Sequence, residues 1–244
     1  MCPKCGPFGG YGYLKVSEEG CPYISGKTAY RLERCTCQTE DDRQRSWNVS
    51  RAASDFSPKL QAMTFATFKH DLQRDAYRDA LNFANDPQHW LFFFSPPGRG
   101  KTHLMAAITH QLLDNGRKAL YVIAPEMLKY IREGFDKENQ RLHDSASKRL
   151  QQIRTADVLL LDDLGAEKSS EWAVEQLYLI LDYRYREELP TVIASNYTAE
   201  TLPPTMMRIA DRLQDVRKCK VSRMGGTSYR KNGPKSNDDI TAGK

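Results

Sequence analysis

Short uninterrupted apolar runs recur along the chain at Trp90-Leu91-Phe92-Phe93-Phe94, Ala119-Leu120-Tyr121-Val122-Ile123, Val158-Leu159-Leu160-Leu161 and Thr191-Val192-Ile193-Ala194. Runs of this length without polar alternation are how strands buried on both faces of a parallel sheet read. Lys220-Val221-Ser222 is a fifth, weaker strand candidate. Between the runs the period changes to that of a helix. Residues 70–85 carry Leu72, Ala76, Ala80, Leu81 and Phe83; residues from Leu104 onward open a helix that should stop at the good cap Asn115-Gly116. Residues 125–154 read as helical and charged. Ser169-Ser170-Glu171 caps a further helix reaching about residue 188, with Trp172, Leu177, Ile180 and Leu181 inward. Strands alternating with helices define an α/β fold with a parallel sheet flanked by helices. No internal repeat is present.

Candidate chemistry collects at the ends of these runs. The first leads into Ser95-Pro96-Pro97-Gly98-Arg99-Gly100-Lys101-Thr102-His103, and a helix follows at once. Strand, glycine-rich loop, Gly-Lys-Thr and helix, in that order, make a phosphate-binding loop. Gly98 and Gly100 let backbone N–H groups turn inward on an anion, and the helix N-terminus adds partial positive charge. Lys101 is placed to reach the β- and γ-phosphates of a nucleotide, and the Thr102 hydroxyl to sit on Mg2+. Ser95 stands where the first glycine of such loops usually is; Pro96-Pro97 pre-set an extended approach. The third run ends in Asp162-Asp163, carboxylates on the sheet edge where open α/β folds bind ligands. Asp162 would hold the Mg2+ shell, and Asp163 would orient or deprotonate an attacking water. The fourth ends in Asn196, which either touches the γ-phosphate or the water, or simply closes a turn. Arg208 and Arg212 stand at helical i, i+4 spacing. One of them serves a neighbouring subunit's nucleotide as an arginine finger, or the pair is a surface partner of Asp211.

Composition narrows the setting. With 40% hydrophobic and 27% charged residues in 244, the chain has the make-up of a globular protein with one substantial core and a small appendage. No apolar stretch approaches the ~20 residues of a membrane span, and the start, Met1-Cys2-Pro3-Lys4-Cys5, lacks the apolar segment of a signal peptide. A cytoplasmic location with reduced thiols is the expectation. Five of the six cysteines nevertheless crowd into the first 37 residues. The pairs Cys2, Cys5 and Cys35, Cys37 have the spacing of a structural zinc site, and so small a segment needs a metal for its folding energy. Cys21 could replace one of the four; disulfides are the alternative that the compartment disfavours. Cys219, alone near a strand, reads as a buried small hydrophobe. A net charge of +5 permits nucleic-acid contact without demonstrating it. The helical stretch 125–154 mixes Lys129, Arg132, Lys137, Arg141, Lys148 and Arg149 with Tyr130 and Phe135. It is either a solvated face or a surface on which single-stranded nucleic acid could lie and stack. Phe65 and Phe68 are candidates to pack beside a nucleotide base or in the core.

These residues together resemble bacterial helicase loaders of the DnaC and DnaI type, a branch of the AAA+ ATPases, and the similar IstB-type ATPases of insertion-sequence transposases. The resemblance rests on the two cysteine pairs, Thr64-Phe65, Gly100-Lys101-Thr102-His103-Leu104, Leu161-Asp162-Asp163-Leu164-Gly165, Pro190 to Asn196, Arg208 with Asp211-Arg212, and Ser228-Tyr229-Arg230. It implies an AAA+ core that binds and hydrolyses ATP with Mg2+. Lys101 and Thr102 match Walker A, Asp162 and Asp163 Walker B, and Asn196 sensor 1. Arg212 matches the arginine finger with Arg208 its companion, and Arg230 a position resembling sensor 2. It implies self-association, contact with single-stranded DNA through 125–154, and delivery of the hexameric replicative helicase in replication initiation, with the zinc module gripping the helicase. Asp163 stands where many such ATPases carry Glu, and a shorter base predicts slow hydrolysis, a switch more than a motor. The alternative is regulation of transposition target selection; an adaptor that binds nucleotide without productive hydrolysis is a third. The expected organisation is a zinc module at 1–45, a linker at 46–63, the ATPase domain at 64–232 and a disordered tail at 233–244.

Overall fold

The structure is a computed structural model that describes residues 13–17, 30–34, 57–135, 140–166 and 170–229. Cys2, Cys5, Cys21, Cys35, Cys37, Lys137 and Arg230 therefore lie outside the described residues, as does the 233–244 tail. In the interval between the two cysteine pairs, β1 (Tyr13–Ser17) and β2 (Tyr30–Arg34) form an antiparallel hairpin with Tyr13 opposite Arg34.

The larger unit runs α1 (Pro58–Gln61), a 3-10 turn (His70–Leu72), α2 (Arg74–Asn85), β3 (Trp90–Phe94), α3 (Lys101–Asp114), β4 (Ala119–Ile123), α4 (Ala124–Phe135), α5 (Gln140–Thr155), β5 (Val158–Leu164), α6 (Glu171–Arg186), β6 (Thr191–Ser195), a 3-10 turn (Pro204–Met206), α7 (Met207–Gln214) and β7 (Cys219–Arg223). Its sheet is parallel throughout, in the order β4-β5-β6-β3-β7. Every apolar run read from the sequence is a strand, and alternate residues serve opposite cores. Trp90, Phe92, Leu159, Leu161 and Ile193 pack under α4 to α7, while Leu91, Phe93, Leu160, Val192 and Ala194 pack under α1 to α3. Two cores on one sheet explain why the runs show no polar alternation.

Local signals hold where they are strong. Gly116 takes φ +74° after the Asn115 cap of α3, and Ser170 caps α6 by accepting from the Ala173 N–H at 3.2 Å. Leu177, Ile180 and Leu181 are buried, Trp172 only partly. Two readings change. The stretch 125–154 is not one helix: α4 ends at Phe135 and α5 starts at Gln140. The two helices meet so closely that a Cβ on Gly134 would lie 2.4 Å from that of Ala146, an approach that residues twelve apart on one continuous helix could not make. Within 70–85, the first turn is 3-10 and Leu72 is exposed, the regular helix starting at Arg74. The domain's packing also begins inside the stretch read as linker, because Leu60 of α1 is buried in the second core.

Candidate nucleotide site

Above the C-terminal ends of β3, β5 and β6 lies a cleft of about 820 Å³. Its floor is the loop between β3 and α3. Gly98 and Gly100 adopt φ of +80° and +95°, conformations that L side chains resist. At Gly100 there is also no room: a Cβ would fall 2.8 Å from Phe68 Cε2 and 3.6 Å from Tyr229 Cε2. Lys101 is buried, and its ammonium donates to the Ser95 carbonyl at 2.6 Å, to Ser95 Oγ at 3.1 Å and to Asn196 Oδ1 at 2.9 Å. The Asn196 amide then donates through Nδ2 to Asp163 Oδ1 at 3.1 Å. One asparagine thus links the phosphate-loop lysine to the second acid of the Asp pair.

Asp162 is buried at the end of β5, and burial pushes its carboxyl above the usual carboxylate range. Three donors oppose that rise: the hydroxyls of Tyr121 and Thr102 and the Asp163 N–H, which meets Oδ1 at 2.9 Å. Asp163 itself sits at φ +61° in a register shift between Leu161 and Leu164. Aspartate tolerates that left-handed conformation better than glutamate does, a physical reason for the shorter acid here. The residues fit a nucleotide's phosphates and their magnesium ion. A backbone cradle closed to any Cβ, a buried lysine, and a buried carboxylate beside the Thr102 hydroxyl are the donor set that such a group requires. Arg99, also lining the cleft, keeps Nε and Nη1 buried without a hydrogen-bond partner among the described residues, donors that an anion would satisfy.

Other expected residues fall at different depths. Pro97, Gly98, Arg99, Gly100, Lys101, Thr102, His103, Asp162, Asp163 and Asn196 line the cleft. Ser95 lies beneath the loop, 1% exposed, where its carbonyl and hydroxyl accept from Lys101. His103 Nε2 donates to the Thr64 carbonyl at 2.9 Å, and its ring stands edge-on to Phe68. Phe68 is buried against Tyr77, and Tyr229 closes the same corner, its N–H on the Gly98 carbonyl at 2.9 Å and its hydroxyl on the Lys69 carbonyl at 2.5 Å. Arg208 and Arg212 do not line the cleft of their own chain. Arg212 is half-buried between Tyr178 and Tyr185 and pairs with Asp182 of α6, not Asp211; Arg208 is exposed above Tyr178. Burial would raise the Asp182 carboxyl, but Arg212 and Arg186 together hold it below the usual carboxylate range. Tyr121 escaped the sequence reading; its only signal was one hydroxyl in an otherwise aliphatic run.

A parallel sheet with a phosphate loop after its first strand and an Asp pair within the C-terminal half of its third defines a P-loop nucleotide-binding protein. The chain belongs to the family described as IstB-like ATP binding protein, which matches residues 36–237. Among curated relatives, the phage-like element PBSX protein XkdC of Bacillus subtilis is 26% identical over 239 residues, 91% of this chain and 85% of that protein. The replicative helicase loader DnaI of Bacillus subtilis is 29% identical over 113 residues, 46% of this chain and only 34% of the loader's length. Among solved structures, a crystal structure of DnaI superposes with a TM-score of 0.56 at 26% identity, over 71% of this chain and 94% of that one. The replication initiator DnaA bound to AMPPCP and single-stranded DNA gives 0.61 at 19% identity, over 71% and 52%, a likeness of fold. The fold is that of the AAA+ proteins. No described helix is long and apolar enough to cross a membrane.

Proposed function

We propose that the chain is an ATP-hydrolysing helicase loader: it self-associates, binds single-stranded DNA and delivers a hexameric replicative helicase. The observation that carries the reading is the continuous Lys101–Asn196–Asp163 link across the ends of β3, β6 and β5, set in a cleft with Asp162 and Thr102. Nucleotide phosphates would draw Lys101 from its carbonyl partners, since a charge-assisted contact to an anion is stronger than one to a neutral acceptor. Asp163, steadied by the Asn196 amide, accepts the proton of the attacking water. Thr102 and Asp162 would hold Mg2+, which when bound neutralises charge on the phosphate oxygens. Arg208, exposed, and Arg212, one turn on, are the residues we assign to a neighbouring subunit's nucleotide, with Arg230 on its own. DNA contact is assigned to α4 and α5, where Lys129, Tyr130, Arg141 and Lys148 are exposed. A zinc module built on Cys2, Cys5, Cys35 and Cys37 would grip the helicase.

Likeness to the loader DnaI, in sequence and in fold, favours this role. The family description favours a second, an IstB-like regulator of transposition targets. Native mass spectrometry of the chain mixed with a replicative helicase, with and without ATP and single-stranded DNA, separates them. A stoichiometric, ATP-sensitive complex supports the loader. DNA binding without any helicase complex rejects it in favour of the second role.

A further inference from the structure

Tyr121 is 0% exposed in β4, and its ring belongs to the core beneath α3. Parallel pairing sets Tyr121 opposite Leu160 and Ile123 opposite Asp162. Tyr121 and Asp162 therefore face the same side of the sheet, two positions apart on neighbouring strands, a diagonal that a long aromatic side chain can span. The tyrosine hydroxyl covers it, donating to Asp162 Oδ2 at 2.6 Å. The other oxygen, Oδ1, accepts the Asp163 N–H at 2.9 Å. One donor from the neighbouring strand and one from the backbone bulge thus hold the two oxygens separately, and the carboxylate cannot rotate without breaking both contacts. An ionised carboxylate has about four lone-pair sites; once the Thr102 hydroxyl, the third donor on Asp162, turns to a cation, about two remain for that ion. Packing alone would be met by phenylalanine; the hydroxyl adds the contact to Asp162.

We propose that Tyr121 is a positioning residue for magnesium. By fixing the rotation of the Asp162 carboxylate, it keeps the remaining lone pairs free for the magnesium that Asp162 and Thr102 would hold. The inference rests on the nucleotide-site reading. Residues that orient a metal ligand from behind typically change metal affinity by about 10–100-fold when removed.

The test is Tyr121→Phe in the full chain, with binding of a fluorescent ATP analogue titrated against Mg2+ and repeated in EDTA. Thermal melting without nucleotide verifies the fold. The expected result is a Mg2+ midpoint raised about tenfold with affinity in EDTA unchanged. An unchanged midpoint overturns the proposal. So does an equal loss of affinity in EDTA, which would make the hydroxyl a support of the pocket and not of the metal carboxylate. Wild-type protein that fails to bind the analogue would overturn the nucleotide-site reading beneath it, and is told apart because the failure precedes any substitution.

Discussion

Replacing Gly100 by alanine adds one methyl group to the floor of the cleft, and two separate costs follow. At φ +95° an L residue pays for the left-handed backbone, about 1–2 kcal/mol. The new Cβ also meets Phe68 Cε2 at 2.8 Å and Cζ at 3.3 Å. Phe68 cannot swing away cheaply, because it is 7% exposed, stacks on Tyr77 and stands edge-on to His103. Overpacking of this kind costs about 1–3 kcal/mol. The sum, about 3 kcal/mol, must appear in one of two places. If the loop keeps its shape, the strain lowers unfolding free energy. If the loop relaxes, nucleotide binding has to restore the strained form, and about 3 kcal/mol weakens affinity about a hundredfold. Urea unfolding and titration with a fluorescent ATP analogue, on the same preparation, therefore read complementary parts of one quantity. A Gly100→Ala chain that matches wild type in both refutes the argument that this loop is a cradle sized to its backbone.

Arg184 should be the costliest buried charge to remove. Burial pushes its guanidinium down to about 9, still charged at neutral pH, and it donates to Thr191 Oγ1 and to the carbonyls of Ile153, Arg154, Ala156 and Pro190. Arg184→Met leaves those acceptors short of a donor and should lower stability by about 3 kcal/mol in urea unfolding, where an unchanged midpoint would show the network to be dispensable. Asp163→Asn keeps a side chain that tolerates φ +61° but removes the carboxylate proposed as the base. Nucleotide affinity should stay within about twofold of wild type while hydrolysis falls about a hundredfold or more, and retained turnover would remove Asp163 from the chemistry. Cys219 is 4% exposed, and burial pushes its thiol up to about 12 from an ordinary value near 9. A raised acid favours the folded state below pH 9, and that contribution fades as pH climbs towards 12. At pH 8, iodoacetamide should label Cys219 in urea and spare it in the native chain; peptide mapping that finds native labelling contradicts its burial.

Much of this molecule is legible before any coordinates. Continuous apolar runs, glycines at turns and a Gly-Lys-Thr ahead of a helix are demands made by the chain on its own neighbours, so they survive in a one-dimensional reading. That is why the five strands, the phosphate loop and the Asp pair of β5 lie where the pattern puts them. The stretch 125–154 shows no such division in its sequence, because both helices are charged and the periodicity of a charged stretch does not separate them. Sequence proximity offers Asp211 as the partner of Arg212, whereas the fold supplies Asp182 on α6, brought near by helix packing.

By itself, then, the sequence determined that this is an α/β chain of a nucleotide-binding family and which loop is the candidate for the phosphates. It could not say what holds the site in shape. Asn196 meets Lys101 across 95 positions and Asp163 across 33, and Tyr121 meets Asp162 across 41. Those contacts exist because the strands lie in the order β4-β5-β6-β3. Strand order is set by how helices cover two cores at once, a property of the whole packed sheet that no local period encodes.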